Sequence, residues 1–379
     1  MIKIINKQDC CGCTACASVC PVNAIEMKPD ELGFLYPAVS ASICIECNKC
    51  DKVCGFLSPD LRNDNPVAYG VRHKKIREVE KSRSGAAFAA LSDYFLKNGG
   101  VVYGAGYDAH FKVKHKRADD RDKRDDLRGS KYAQSDMTGV MSIIKQDLKE
   151  GNEVLFSGTP CQVYALKLFI PAVLQKKLFT IDIVCHGVSS PKVWDDYLLY
   201  LEKKEKKDIL SVNFRDKSIF GWSGLHKESF TFSDNVKRTY DYTYYSDLIV
   251  RPSCNECRFA SVHRGSDLTL ADFWGWKKLC PEFEDDDKGY SLLLVNTDKG
   301  DSLFRSVGDS IIHKQVDIMQ CIQPNMQQPT AANSKHEQFV SDYVTKGFAY
   351  VRRKYGVVGI RYQMTRIINY VKRHFQISV

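Results

Sequence analysis

No uninterrupted apolar run approaches the roughly 18–20 residues that a membrane-spanning helix needs, so a bilayer-embedded body is excluded. The opening segment, MIKIINKQDC, lacks the charged-then-apolar run and small-residue cleavage site of a secretory signal peptide. A cytoplasmic, reducing location is therefore expected. Internal repeats and long polar low-complexity blocks are missing too. With 44% hydrophobic and 27% charged residues, the composition is that of an ordinary folded chain, which excludes wholesale disorder. The formal net charge is +9, yet no zinc-finger, helix-turn-helix or basic-aromatic stripe accompanies it. The segment after Asp342 holds eight Lys or Arg and no acid, so the body is close to neutral. No nucleic-acid partner is expected. What the sequence has in excess is cysteine, fifteen in all. In a reducing compartment, thiols at regular spacing act as metal ligands more often than as disulfides.

Cysteine density divides the chain. Nine of the fifteen precede Gly55, and the polar, proline-containing stretch Leu57–Pro66 follows. The length of 379 residues accommodates two or three domains; the expected units are 1–58, 67–335 and 336–379. Beyond the linker, helical and strand patterns alternate. Ser84 is placed to cap a helix ended by Gly99 and Gly100, VVYGAGY and EVLFS read as strands, and PCQVYALKLF and PKVWDDYLLYLEKK read as helices. From about 210 to 320, SVNFR, ESFTFS, LTLADF and SLLLVN read as strands that join a mixed sheet.

The N-terminal run is Cys10-x2-Cys13-x2-Cys16-x3-Cys20-Pro21, followed by Cys44-x2-Cys47-x2-Cys50-x3-Cys54-Gly55. Two-residue gaps let three thiolates converge on one cubane, and the fourth cysteine of each run closes the other cluster. This assigns Cys10, Cys13, Cys16 and Cys54 to one [4Fe-4S] cluster and Cys44, Cys47, Cys50 and Cys20 to a second. Zinc and disulfides are the alternatives. Cys11 is surplus. The segment resembles the bacterial two-cluster ferredoxin module, except that Gly55 stands where proline is usual.

Further motifs follow in the large domain. Gly158, Thr159 and Pro160 open a helix whose free N–H groups suit an anion, or simply cap it well. Ser130, Lys131 and Tyr132 offer a donor, a cation and an aromatic, and Ser84 and Gly85 form another helix start. Ser-x-Ser-Gly, Gly-Ser-Lys-Tyr, Ser-Gly-Thr-Pro-Cys-Gln, Cys254-x2-Cys257 and Asp267-Leu-Thr-Leu-Ala-Asp272-Phe-Trp-Gly275 occur in an order that is similar to the beta subunit of coenzyme F420-reducing hydrogenase and its relatives. The resemblance implies a flavoprotein domain that binds FAD through Ser84, Gly85, Ser130, Lys131, Tyr132, Gly158, Thr159, Pro160, Gln162 and Asp272. Ala86 and Ala271 stand where that family's glycines are expected.

Cys161, Cys185, Cys254 and Cys257 suit a third [4Fe-4S] cluster, which the resemblance supports; inert core thiols and zinc are the alternatives. Cys280 and Cys321 have no spacing partners and read as structural. His186 reads as a hydrogen-bonded structural residue or as a proton donor near a flavin. Gly104 and Gly106 imitate a dinucleotide fingerprint, but HFKVKHKRA alternates like a strand, so a hairpin is expected rather than a nicotinamide site. From Ile360 onward, an apolar face opposes Arg361, Arg366, Lys372 and Arg373, which suits either docking on the body or peripheral contact with an anionic membrane.

The expected architecture is an α+β ferredoxin module, then an α/β flavoprotein domain with a mixed sheet, then a C-terminal helix. The expected activity is that of an iron–sulfur flavoprotein oxidoreductase. It would exchange electrons with a ferredoxin-like carrier and a small organic substrate, and the family's bacterial relatives point to surface-polysaccharide biosynthesis. A coenzyme F420 oxidoreductase and a non-enzymatic electron-transfer subunit are the rivals. No catalytic residue is singled out.

Overall fold

A computed structural model of the chain describes residues 1–58, 62–224, 227–242 and 246–356. The N-terminal module is built on one antiparallel hairpin, β1 (Ile25–Pro29) and β2 (Leu35–Val39). Asp30 makes its turn by accepting from the N–H groups of Leu32 (3.0 Å) and Phe34 (2.9 Å). Short helices Ala15–Val19 and Lys49–Lys52 follow the two cysteine loops and touch each other.

Among the described residues, the large domain contains eleven strands: β3 (Val67–His73), β4 (Val101–Tyr107), β5 (Val113–Ala118), β6 (Val154–Gly158), β7 (Leu178–Ile183), β8 (Ile209–Asn213), β9 (Glu228–Phe232), β10 (Lys237–Tyr240), β11 (Leu268–Asp272), β12 (Ser291–Val295) and β13 (Ile311–Val316). Eight of them form one mixed sheet in the order β13-β3-β12-β11-β7-β6-β4-β5. Its centre is parallel, β4 to β6 to β7 to β11, and its flanks are antiparallel. Strand alternation sends Val101, Tyr103, Val154 and Phe156 to one face, against helices Val140–Lys149 and Pro160–Phe169. Val102 and Leu155 go to the other, against Ala87–Lys97 and Asp298–Ser306. The glycine-bearing segment Gly104–Gly106 is a hairpin strand, with Gly104 opposite Lys116.

Two expectations change. First, β8, β9 and β10 form a separate three-stranded antiparallel sheet rather than extending the main one. Their apolar faces pack on helix Pro191–Glu205 through Trp194, Phe230 and Phe232. Second, Ser84 is not a helix cap: its hydroxyl bonds Ser291 Oγ at 2.9 Å, and the helix starts after Ala86, which takes a left-handed φ of 65°. That conformation explains why glycine suits this position. At the start of the segment expected to be helical, helices His336–Lys346 and Phe348–Lys354 bury Phe339, Tyr343 and Val351 in the cluster around Trp194. The amphipathic face expected from Ile360 onward lies outside the described residues. Among the described residues, no helix is long and apolar enough to cross a membrane.

Candidate iron–sulfur centres

The cysteine loops carry the donors that the sequence singled out. Cys20, Cys44, Cys47 and Cys50 share the lining of one cavity, with about 340 Å³ of empty space partly open to solvent. Cys47 is exposed and Cys50 buried. Backbone N–H groups aim at the sulfurs: Ala24 donates to Cys20 Sγ and Ile2 to Cys50 Sγ, each at 3.2 Å. N–H bonds to thiolate sulfur tune a cluster's potential, and the four-thiol donor set fits a cubane. In the companion set, Cys16 has Cys10 and Cys54 as electrostatic neighbours, and Gly12 N–H meets Cys10 Sγ at 3.4 Å. Burial pushes the Cys16 thiol up to about 12. Cys13 contacts Cys11.

A third group comes from three separate segments. Cys161 is the second residue of the helix after β6, Cys185 follows β7, and Cys254 and Cys257 lie in and just after the turn Pro252–Cys254. The parallel neighbours β6 and β7 bring their C-terminal ends together. All four cysteines line one cavity with about 550 Å³ of empty space, partly open to solvent. Burial pushes Cys254 up to about 12 and Cys257 up to about 11, and Cys161 and Cys185 are also raised, Cys161 first by its Cys11 contact. Thiols held this way become thiolates only beside a strong positive charge, which a metal cluster supplies. The donor set and the cavity fit a third cubane. Among the described residues, no group of three or more His, Cys, Asp or Glu side chains is arranged around a single metal ion.

Cys11 and Arg251 were not recognised as site residues in the sequence. Cys11 is buried, lines the third cavity and contacts Cys161 on one side and Cys13 on the other. Its surplus position inside a cysteine run was the only local signal. Arg251 also lines this cavity, three residues before Cys254.

The residues expected to hold FAD separate into two groups. Thr159, Pro160 and Gln162 line the third cysteine cavity. There Thr159 Oγ1 lies 3.2 Å from Cys161 Sγ, and Thr159 N–H donates to Gln162 Oε1 at 2.9 Å. Gly158 ends β6 against the Phe156 ring, where a Cβ would come within 2.8 Å. The second group surrounds Arg215, which donates to Asp272 Oδ2 (2.8 Å) and Tyr132 Oη (3.1 Å). Lys217 Nζ donates to Ser84 O at 3.2 Å, linking Ser84 and the neighbouring Gly85 to this group. The Trp222 and Trp274 rings stack beside it at 4.6 Å. Ser130 is exposed, and Lys131 Nζ is turned onto the carbonyls of Asp126 and Arg128. His186 bonds Asp247 at 2.7 Å, and that bond raises its pKa. Cys280 and Cys321 are buried in the apolar cluster around Trp276.

Residues 151–318 match the family described as the C terminus of the coenzyme F420 hydrogenase/dehydrogenase beta subunit, and residues 3–26 match the 4Fe-4S binding domain. The chain is 21% identical over 347 residues to a subunit of the F(420)H(2) dehydrogenase of Methanosarcina mazei, covering 86% of this chain and 88% of that one. It is also 34% identical over 74 residues to polyferredoxin protein MvhB of Methanothermus fervidus, covering 19% of this chain and 16% of the other. A chain in the xenon-derivatized F420-reducing [NiFe] hydrogenase complex from Methanosarcina barkeri overlaps 79% of this chain and 94% of its own, with TM-score 0.46 and 16% identity. The sequence matches place residues 151–318 in the family of coenzyme F420 hydrogenase/dehydrogenase beta subunits, by its C-terminal part, and residues 3–26 in the 4Fe-4S binding domain family.

Proposed function

We propose that the chain is an oxidoreductase subunit holding three [4Fe-4S] clusters and FAD, which exchanges electrons with a ferredoxin-like carrier and a small organic two-electron substrate. One observation carries this reading. Cys161, Cys185, Cys254 and Cys257 face a single cavity that also receives Cys11 from between the first-cluster ligands. The cubanes supply single-electron transfer and the flavin couples it to two-electron chemistry. The chain's own part is to hold the donors and supply N–H groups to the sulfurs. For the flavin, the Arg215 group fits better than the Thr159 group, because Arg215, Lys217 and the stacked indoles suit a planar, anionic ligand. A coenzyme F420 reading stands beside it, since the Methanosarcina mazei relative belongs to an F(420)H(2) dehydrogenase.

Anaerobic purification with iron counting and flavin identification tests the proposal. About 12 Fe per chain are expected from three cubanes, falling toward about 8 in Cys257→Ser. Fully loaded protein near 8 Fe, unchanged by that substitution, overturns the third cluster. Protein that neither retains nor takes up FAD overturns the flavin assignment.

A further inference from the structure

Arg251 stands between two cysteine sets, and its charge lacks the usual kind of partner. The residue is 0% exposed. Its Nε donates to Cys10 O at 2.8 Å, Nη1 to Gln134 Oε1 at 2.8 Å and Nη2 to Leu35 O at 2.9 Å. The rings of Tyr36 and Phe34 lie 4.3 and 5.3 Å from its guanidinium carbon. Every acceptor is neutral, and among the described residues no carboxylate pairs with it. A buried cation without a counter-charge is strongly disfavoured.

The compensating charge is at hand once the thiols are ligated. Cys10 belongs to the first set, and its carbonyl is held directly by Arg251. Cys254 belongs to the third, and its N–H donates to Arg251 O at 2.9 Å. Gly12 has φ +68°, and a Cβ there would lie 2.8 Å from Arg251 Nη1, so the ferredoxin loop is shaped to admit this side chain. The cavity of Cys20, Cys44, Cys47 and Cys50 is lined by none of these partners.

We propose that Arg251 is the buried counter-charge shared by the Cys10 centre and the Cys161/Cys185/Cys254/Cys257 centre, raising the reduction potential of both. The inference rests on the cluster reading above. In each reduction one centre takes up one electron, which the carrier gives up, and positive charge nearby stabilises the reduced form. No proton or further reactant is needed.

The test is an anaerobic redox titration of the full-length holoprotein, followed by paramagnetic resonance and alongside iron counts. Arg251→Gln should shift the reduction equilibrium of these two centres at least tenfold toward the oxidised form, about 59 mV for a one-electron couple. The Cys20/Cys44/Cys47/Cys50 centre should not move and serves as the internal reference. Arg251→Lys, which keeps the charge, should stay close to wild type. Gln134→Glu leaves the arginine in place but sets a carboxylate on Nη1. It should lower the same two potentials even if Arg251→Gln fails to assemble. Three centres with unshifted potentials in Gln134→Glu, or equal shifts in all three, overturn the role of Arg251 alone. Wild-type protein with only the two N-terminal centres overturns the cluster reading, and the proposal with it.

Discussion

Lys131 shows how far a single residue departs from its sequence-level reading. Its position after Ser130 suggests a phosphate partner, yet its amine donates to Arg128 O at 2.7 Å and Asp126 O at 3.0 Å, 5.6 Å from the Tyr107 ring centre. Burial pushes its pKa from 10.5 down to about 7, against the pull of Asp126. Below about pH 7 both folded and unfolded states carry the proton, and the full cost of burying charge applies. Between about 7 and 10.5 the unfolded state binds more protons, so stability rises with pH and the cost disappears above that window. Lys131→Met removes the effect. The variant should therefore compare best with its parent at about pH 6, and lose ground by about pH 9.5, in anaerobic thermal melts. A midpoint difference that does not change with pH would show that the amine is not desolvated. Neither this nor the role of Cys11 was legible locally, because each depends on atoms brought from elsewhere in the chain.

At the scale of elements, the Ser84–Gly85 turn locks the helix Ala87–Lys97 to the sheet strands β3 and β12. Gly85 O accepts from His73 N at 2.8 Å, and a Cβ at Gly85 would lie 2.3 Å from Val71 O and 2.6 Å from Ser291 N. Val71 and Ser291 are register partners across β3 and β12. The obstruction is backbone on both sides, so it cannot be relieved by a rotamer change. Gly85→Ala should destabilise the fold by about 1–3 kcal/mol through overpacking, and thermal denaturation with metal content held constant would measure this. An unchanged midpoint would mean that the β3–β12 pair can part at little cost. Sequence periodicity located the helix itself. It misplaced the start because a left-handed Ala86 leaves no compositional mark, whereas a serine before a glycine imitates a cap.

Across the whole molecule, the ferredoxin module is seated in the large domain's core. Leu32 and Phe34 enter the cluster of Trp194, Phe214 and Phe230, while Ala15 and Val53 join the one beneath helix Pro160–Phe169. Leu32 O also accepts from Ser190 Oγ at 2.6 Å and Lys192 N at 3.2 Å, at the start of helix Pro191–Glu205. So small a module has little core of its own, and this shared burial supplements what the clusters contribute. Phe34→Ala should cost about 3–5 kcal/mol and speed limited proteolysis of the N-terminal module. Cleavage at the wild-type rate would show that the module is held by its cysteine loops alone.

By itself, the sequence determined the two N-terminal cysteine sets and most strands and helices, because these depend on spacing within a short loop or on periodicity within a dozen residues. Strand alternation by itself sends odd and even positions of β4 and β6 to opposite faces. Only the tertiary structure decided that three cysteine segments share one cavity, that Cys11 reaches it and that Arg251 lies between two centres. Those facts depend on the strand order β11-β7-β6 and on where the module docks. Hydrophobic pattern says which face of a strand is buried and is silent on which strand lies beside it.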